Sequence, residues 1–131
     1  MYQVEIIHKK DLIFQVNSGA HEFCIDAKGH DGITPPDTLL ASLGSCIGVY
    51  ISKYSQGAKL GLENFSVTIE AEFTKEPPMR FERIDVVIDL KGIVLDERRR
   101  GALLQFIKNC PVHNTIEGNP AVEVKLSECL K

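Results

Sequence analysis

Two of the four cysteines sit where thiol chemistry could occur. Cys46 lies inside Leu39-Leu40-Ala41-Ser42-Leu43-Gly44-Ser45-Cys46-Ile47-Gly48-Val49-Tyr50, and Cys110 opens Cys110-Pro111-Val112-His113-Asn114-Thr115. In a reducing compartment such thiols rest unpaired, and a disulfide between them would be transient and catalytic rather than structural. Pairing needs their Cα atoms about 5.5 Å apart, which spacing alone does not establish. The other reading is that both are small core hydrophobes, the usual role of a buried free cysteine. Cys110 and His113 also make a C-x-x-H pair, but no second Cys/His pair stands at finger-like spacing to complete a tetrahedral metal set. Cys24 and Cys129 fall on candidate strands, where ordinary packing accounts for them.

The elements that must position these residues follow from periodicity. Tyr2–His8 and Leu12–Asn17 alternate around the turn Lys9-Lys10-Asp11, a hairpin signal, and His21–Ala27 supplies a third strand. Pro35-Pro36-Asp37 prepares a helix start, because proline is tolerated in a first turn and acids suit the positive end of the helix dipole. The helix runs to about Gly57. Its apolar positions from Leu39 to Tyr54 keep a 3.6-residue beat with almost no polar flank up to Ile51, so it must be covered on most sides. Phe65–Phe73 alternates strictly and reads as a half-buried strand, paired antiparallel with a strand carrying Ile84, Val86, Ile88 and Leu90. Asp96-Glu97 opens a second helix in which Leu103, Phe106, Ile107 and Cys110 form an apolar stripe that Pro111 ends. Val122, Val124 and Leu126 alternate in a last strand over Ala121–Ser127.

The order βββ-α-ββ-α-β predicts one α+β domain over residues 1–131 with mostly antiparallel sheet. The apolar excess of the first helix predicts a homodimer built around it. A net charge of −3, from 15 Lys and Arg against 18 Asp and Glu, gives no field to attract phosphate backbones, so nucleic acid is not an expected partner. Met1-Tyr2-Gln3-Val4-Glu5 has neither the basic start nor the apolar run of a secretory signal, and no segment approaches the ~20 apolar residues of a membrane span. The expectation is a cytoplasmic protein without a membrane partner.

Thr34-Pro35-Pro36-Asp37-Thr38-Leu39-Leu40-Ala41-Ser42-Leu43-Gly44-Ser45-Cys46, followed 64 positions later by Cys110-Pro111-Val112-His113-Asn114-Thr115, resembles the paired signature of the OsmC/Ohr family. The element order fits that family from end to end. The resemblance implies an OsmC-like α+β fold with a central buried helix, an intertwined dimer, and a cysteine-based peroxidase that prefers organic hydroperoxides. Cys46 would be the peroxidatic thiol and Cys110 the resolving one. The thiolate attacks the O–O bond, becomes a sulfenic acid, and condenses with the second thiol to a disulfide, which a dithiol reductant, dihydrolipoyl in the Ohr branch, then opens. No metal, flavin or haem is called for. Leu39, Leu43 and Tyr50 would give Cys46 the apolar company an oily peroxide needs.

The chain departs from the better-known branches in its thiol activation. At pH 7 a thiol of ordinary pKa is about 3% ionised, and lowering that pKa to about 6 takes roughly 3.4 kcal/mol. A helix terminus contributes ~0.3–1 kcal/mol, and Cys46 lies too deep in its helix to receive it. Those branches use an N-terminal arginine paired with a glutamate before the helix. Here the first arginine is Arg80, and the glutamate position falls on Pro36. Asp37, nine residues before Cys46, is rotated about 180° away on a regular helix, and serves as a first-turn acid. Candidate cations are His21, His30, Lys53, Arg80, Arg83 or a group from a partner chain. The alternative function is an OsmC-like redox or small-molecule-binding protein without efficient peroxidase turnover.

Overall fold

The structure, a computed structural model, describes residues 1–127. Strands β1 (Glu5–Lys10), β2 (Ile13–Ser18) and β3 (His21–Asp26) come first, followed by helix α1 (Pro35–Ala58). Strands β4 (Ser66–Phe73) and β5 (Phe81–Asp89) follow, then helices α2 (Glu97–Ile107) and α3 (Pro111–Gly118). The α+β class is as expected. The strands form two sheets, β1-β2-β3 and β4-β5. The first is antiparallel throughout, Ile7 facing Gln15 and Gln15 facing Cys24, and the short β4–β5 connection requires the same of the second.

Two compact units divide the chain inside α1, one of Met1–Ser45 with Val67–Ile88 and the other of Cys46–Ser66 with Asp89 onward. In the first unit, the chain after β3 folds back along it, with Asp26 N–H donating to Ile33 O at 3.1 Å. Buried Asp26 organises this return by accepting the backbone N–H groups of Lys28 (2.9 Å), Asp31 (3.0 Å) and His30 (3.3 Å). These donors, those of Asp31 and Lys28 foremost, hold its carboxyl below the usual range against the opposing effect of burial. Gly32 has no room for a side chain, since a Cβ there would stand 2.5 Å from Cys24 O. The loop delivers Thr34 as the cap of α1. Its Oγ1 accepts from Asp37 N at 3.2 Å and donates to the Asp37 carboxylate at 2.9 Å, a reciprocal closure with Pro35 in the first turn. Asp37 thus has the first-turn role expected of it. Gly44 lets α1 approach β4, where a Cβ would meet Ile69 Cγ1 at 3.3 Å.

In the second unit, Ile47, Ile51, Leu62, Leu103, Ile107 and Cys110 are buried, and Phe106 of α2 lies against the rings of Tyr50 (5.8 Å) and Tyr54 (5.7 Å). Helix α1 ends in a Schellman motif. Lys59 is left-handed at φ 54°, with Lys59 N–H donating to Gln56 O and Leu60 N–H to Ser55 O. Ser55 Oγ is buried and accepts from Leu62 N at 2.8 Å, so its polar group is satisfied.

Two expectations need correction. Residues 121–127 form no strand, and Val122, Val124 and Leu126 are 83%, 89% and 90% exposed, because alternation supplies a face but no ladder partner among the described residues. The stripe ending at Cys110 belongs to two helices. After α2, Lys108 N–H turns to Gln105 O, and Pro111 opens α3, where its missing N–H costs nothing. Helix α1 buries one stripe, Leu43, Ile47, Ile51 and Ser55, while Leu39 (43%) and Val49 (50%) stay open in the single chain. Cys129 lies outside the described residues.

Candidate functional site

The site lies within the second unit, where α1 carries Cys46 and α3 begins with Cys110. Cys46 is near enough to Cys110 to perturb it. Cys110 is fully buried and Cys46 half-buried, and the Cys110 thiol is pushed up in pKa by burial first and then by its hydrogen bond to Cys46. Backbone N–H groups of His113 and Val112 pull the other way. Cys110 is also the N-cap of α3, with φ −60° and ψ 118°, and its Sγ accepts from His113 N at 3.4 Å. A sulfur in this position receives the positive end of a short helix, which Cys46, midway along α1, does not.

The histidine that follows is the residue sequence reasoning underestimated. Its Nε2 stands 3.2 Å from Glu117 Oε1, one turn on, while Nδ1 is buried and makes no hydrogen bond among the described residues. The signal was present in the i, i+4 spacing of His113 and Glu117. It stays hidden as long as Pro111 reads as the end of α2, because only a helix beginning at Pro111 puts His113 and Glu117 on one face.

Of the other candidates, Lys53 and Arg83 have side-chain partners of their own. Lys53 Nζ lies 4.9 Å from the centre of the Tyr50 ring, a cation–π contact that holds both side chains. Arg83 pairs with Asp85 at 2.8 Å, His30 gives its backbone N–H to Asp26, and His21 and Arg80 are exposed on their own unit. Cys24 is half-buried in β3 with Sγ 4.0 Å from Ile25 O. In the first unit, Asp37, Leu40, Ala41, Gly44 and Ser45 of α1 and Val67 and Ile69 of β4 line an open groove of about 450 Å³. Among the described residues no three His, Cys, Asp or Glu side chains converge as a metal set, and no helix is long and apolar enough to cross a membrane.

Comparison with known proteins places the chain in a family. Residues 28–125 match the model of the OsmC-like protein family, so the chain belongs to that family. The fold is shared with an OsmC-like protein of Mycoplasma pneumoniae at 19% identity and a TM-score of 0.76, covering 90% of this chain and 88% of that one. An organic hydroperoxide resistance protein of Elizabethkingia anophelis is 21% identical with a TM-score of 0.60 and 91% of each chain covered. An organic hydroperoxide resistance protein of Legionella pneumophila, also described as a predicted redox protein, gives 20% and 0.62 over 91% of this chain and 92% of its own. Curated protein sequences yield no match.

Proposed function

We propose that this protein reduces organic hydroperoxides through Cys46 as the attacking thiol and Cys110 as the resolving one. The observation that supports this is a pair of neighbouring thiols with unequal access, Cys46 half-buried and Cys110 at 0% exposure. An oxidant reaches Cys46 first. Its thiolate takes the distal peroxide oxygen, the O–O bond breaks, the alcohol leaves with a proton, and Cys46 becomes a sulfenic acid. Cys110, already adjacent, displaces water to form the disulfide before further oxidation, and a dithiol restores both thiols by exchange. The hydroperoxide-resistance relatives support the substrate class.

The working protein on this reading is a cytoplasmic homodimer. The unpaired alternation of Val122, Val124 and Leu126 and the open side of α1 at Leu39 and Val49 support a second copy. A molar mass by light scattering equal to one chain at micromolar concentration would remove that part. The catalytic proposal is tested with cumene hydroperoxide and a dithiol. Consumption should require Cys46, fall to background in Cys46→Ser, and leave a Cys46–Cys110 link after one equivalent of peroxide. Indifference to Cys46→Ser would instead indicate an OsmC-like module that binds small molecules or exchanges thiols without peroxide turnover.

A further inference from the structure

Resolution has a proton to dispose of. Cys110 must lose its thiol proton to attack, yet it sits in a fully buried position beside another sulfur. The nearby side chain with a vacant acceptor is His113. In the tautomer that donates Nε2–H to Glu117 Oε1 at 3.2 Å, Nδ1 is the acceptor of the ring, and that atom is buried without a partner among the described residues. A buried acceptor left unused is costly and calls for an explanation. His113 is N3 to the Cys110 N-cap, the spacing at which side chains of a helix start face one another, and its own N–H already touches Cys110 Sγ at 3.4 Å.

We propose that His113, oriented by Glu117, accepts the Cys110 thiol proton as that sulfur attacks the oxidised sulfur of Cys46. The proposal rests on the reading of Cys110 as the resolving thiol, but not on peroxide as the oxidant. In the step, Cys110 Sγ forms the S–S bond and is oxidised, and the bond from Cys46 Sγ to its leaving group breaks with the electron pair going to that group. The proton passes from Cys110 through His113 Nδ1 to the departing group, giving water when that group is hydroxide. The hydrogen bond from thiol to Nδ1 is absent at rest and forms in the reacting complex, as catalytic contacts often do. The titratable side chain that acts on Cys110 is Cys46 from α1, while His113 of α3 reaches its sulfur through the backbone N–H and carries Glu117 on the other ring nitrogen.

The test separates this step from the peroxide reaction. Cys46 is loaded with thionitrobenzoate from Ellman's reagent, and release of that group by Cys110 is followed across pH, with alkylation and peptide mapping to assign the link. His113→Gln should slow release by tenfold or more near pH 7 and converge with the parent in strong base, where the thiol ionises unaided. Glu117→Gln, at an exposed position, should slow it less and in the same direction. A helix loosened by substitution would be slow at every pH. Release in His113→Gln equal to the parent throughout overturns the proposal, as does a Cys46 adduct that never passes to Cys110. His113-dependent release in a protein that leaves cumene hydroperoxide untouched would sink the peroxidase reading and keep this one.

Discussion

Helices α1 and α3 begin alike and end differently in use. Thr34-Pro35-Pro36-Asp37 and Cys110-Pro111-Val112-His113 each place a cap, a proline in the first turn and a polar side chain at N3. At α1 the N3 carboxylate closes on the cap hydroxyl, which in turn accepts the Asp37 N–H, so the pair is engaged in holding the helix end. At α3 the cap is a thiol, a poorer hydrogen-bond partner, and the N3 imidazole turns to Glu117 and leaves a nitrogen open. The same local grammar therefore serves anchoring in one place and leaves reactive atoms unspent in the other. Uncommitted polar atoms in a buried site mark where chemistry is expected.

The sharpest way to break the comparison is Cys110→Ser. Serine is a better cap than cysteine, so stability in denaturant should change by less than about 1 kcal/mol, while the Cys46 link is lost entirely. A large loss of stability would show that α3 is anchored by its thiol after all. Thr34→Ala should do the opposite, lowering stability by about 1 kcal/mol and leaving thiol exchange at Cys46 unchanged. Exchange rates by mass spectrometry and urea midpoints separate the two outcomes.

Acid should also tell the two helix starts apart. The Asp26 carboxyl ionises more readily folded than unfolded, so its stabilisation is complete above the ordinary carboxylate pKa of about 3.9. It is lost as pH falls below that value toward the lowered native one. Amide exchange of residues 28–38 should quicken in that window, exchange at α3 should not follow, and Asp26→Asn should flatten the pH dependence. The smallest effect is expected at the other end of α1. Lys59→Gly relieves a left-handed non-glycine residue at φ 54° and should stabilise by about 0.5–1 kcal/mol, read as a raised urea midpoint. A loss of stability there would mean that the Lys59 side chain contributes more than its backbone strain.

Much of this was legible before any coordinates. Strict alternation marked β2, β3 and β4 within a residue or two, because a half-buried strand has a period of two whatever it packs on. Asp96, Pro35 and Asp37 marked two helix starts because capping is settled within one turn. Legibility failed at Pro111, where the same residue can end a helix or begin one, and the choice depends on whether the preceding chain has already turned. It failed again at residues 121–127, where alternation states a preference and only a neighbouring ladder can satisfy it.

The sequence by itself determined the local vocabulary: an apolar helix bearing Cys46, a Cys-Pro-Val-His start, and a family signature spread across both. Short-range sterics, hydrogen-bond capping and periodicity act over a few residues and need no partner. Only the tertiary structure decided that the two thiols, 64 residues apart, are neighbours, and that Cys110 is the hidden member. It alone decided that His113 carries an unused nitrogen. Those facts depend on how α1, α2 and α3 share one core, and burial is a property of the packed assembly that no single segment carries.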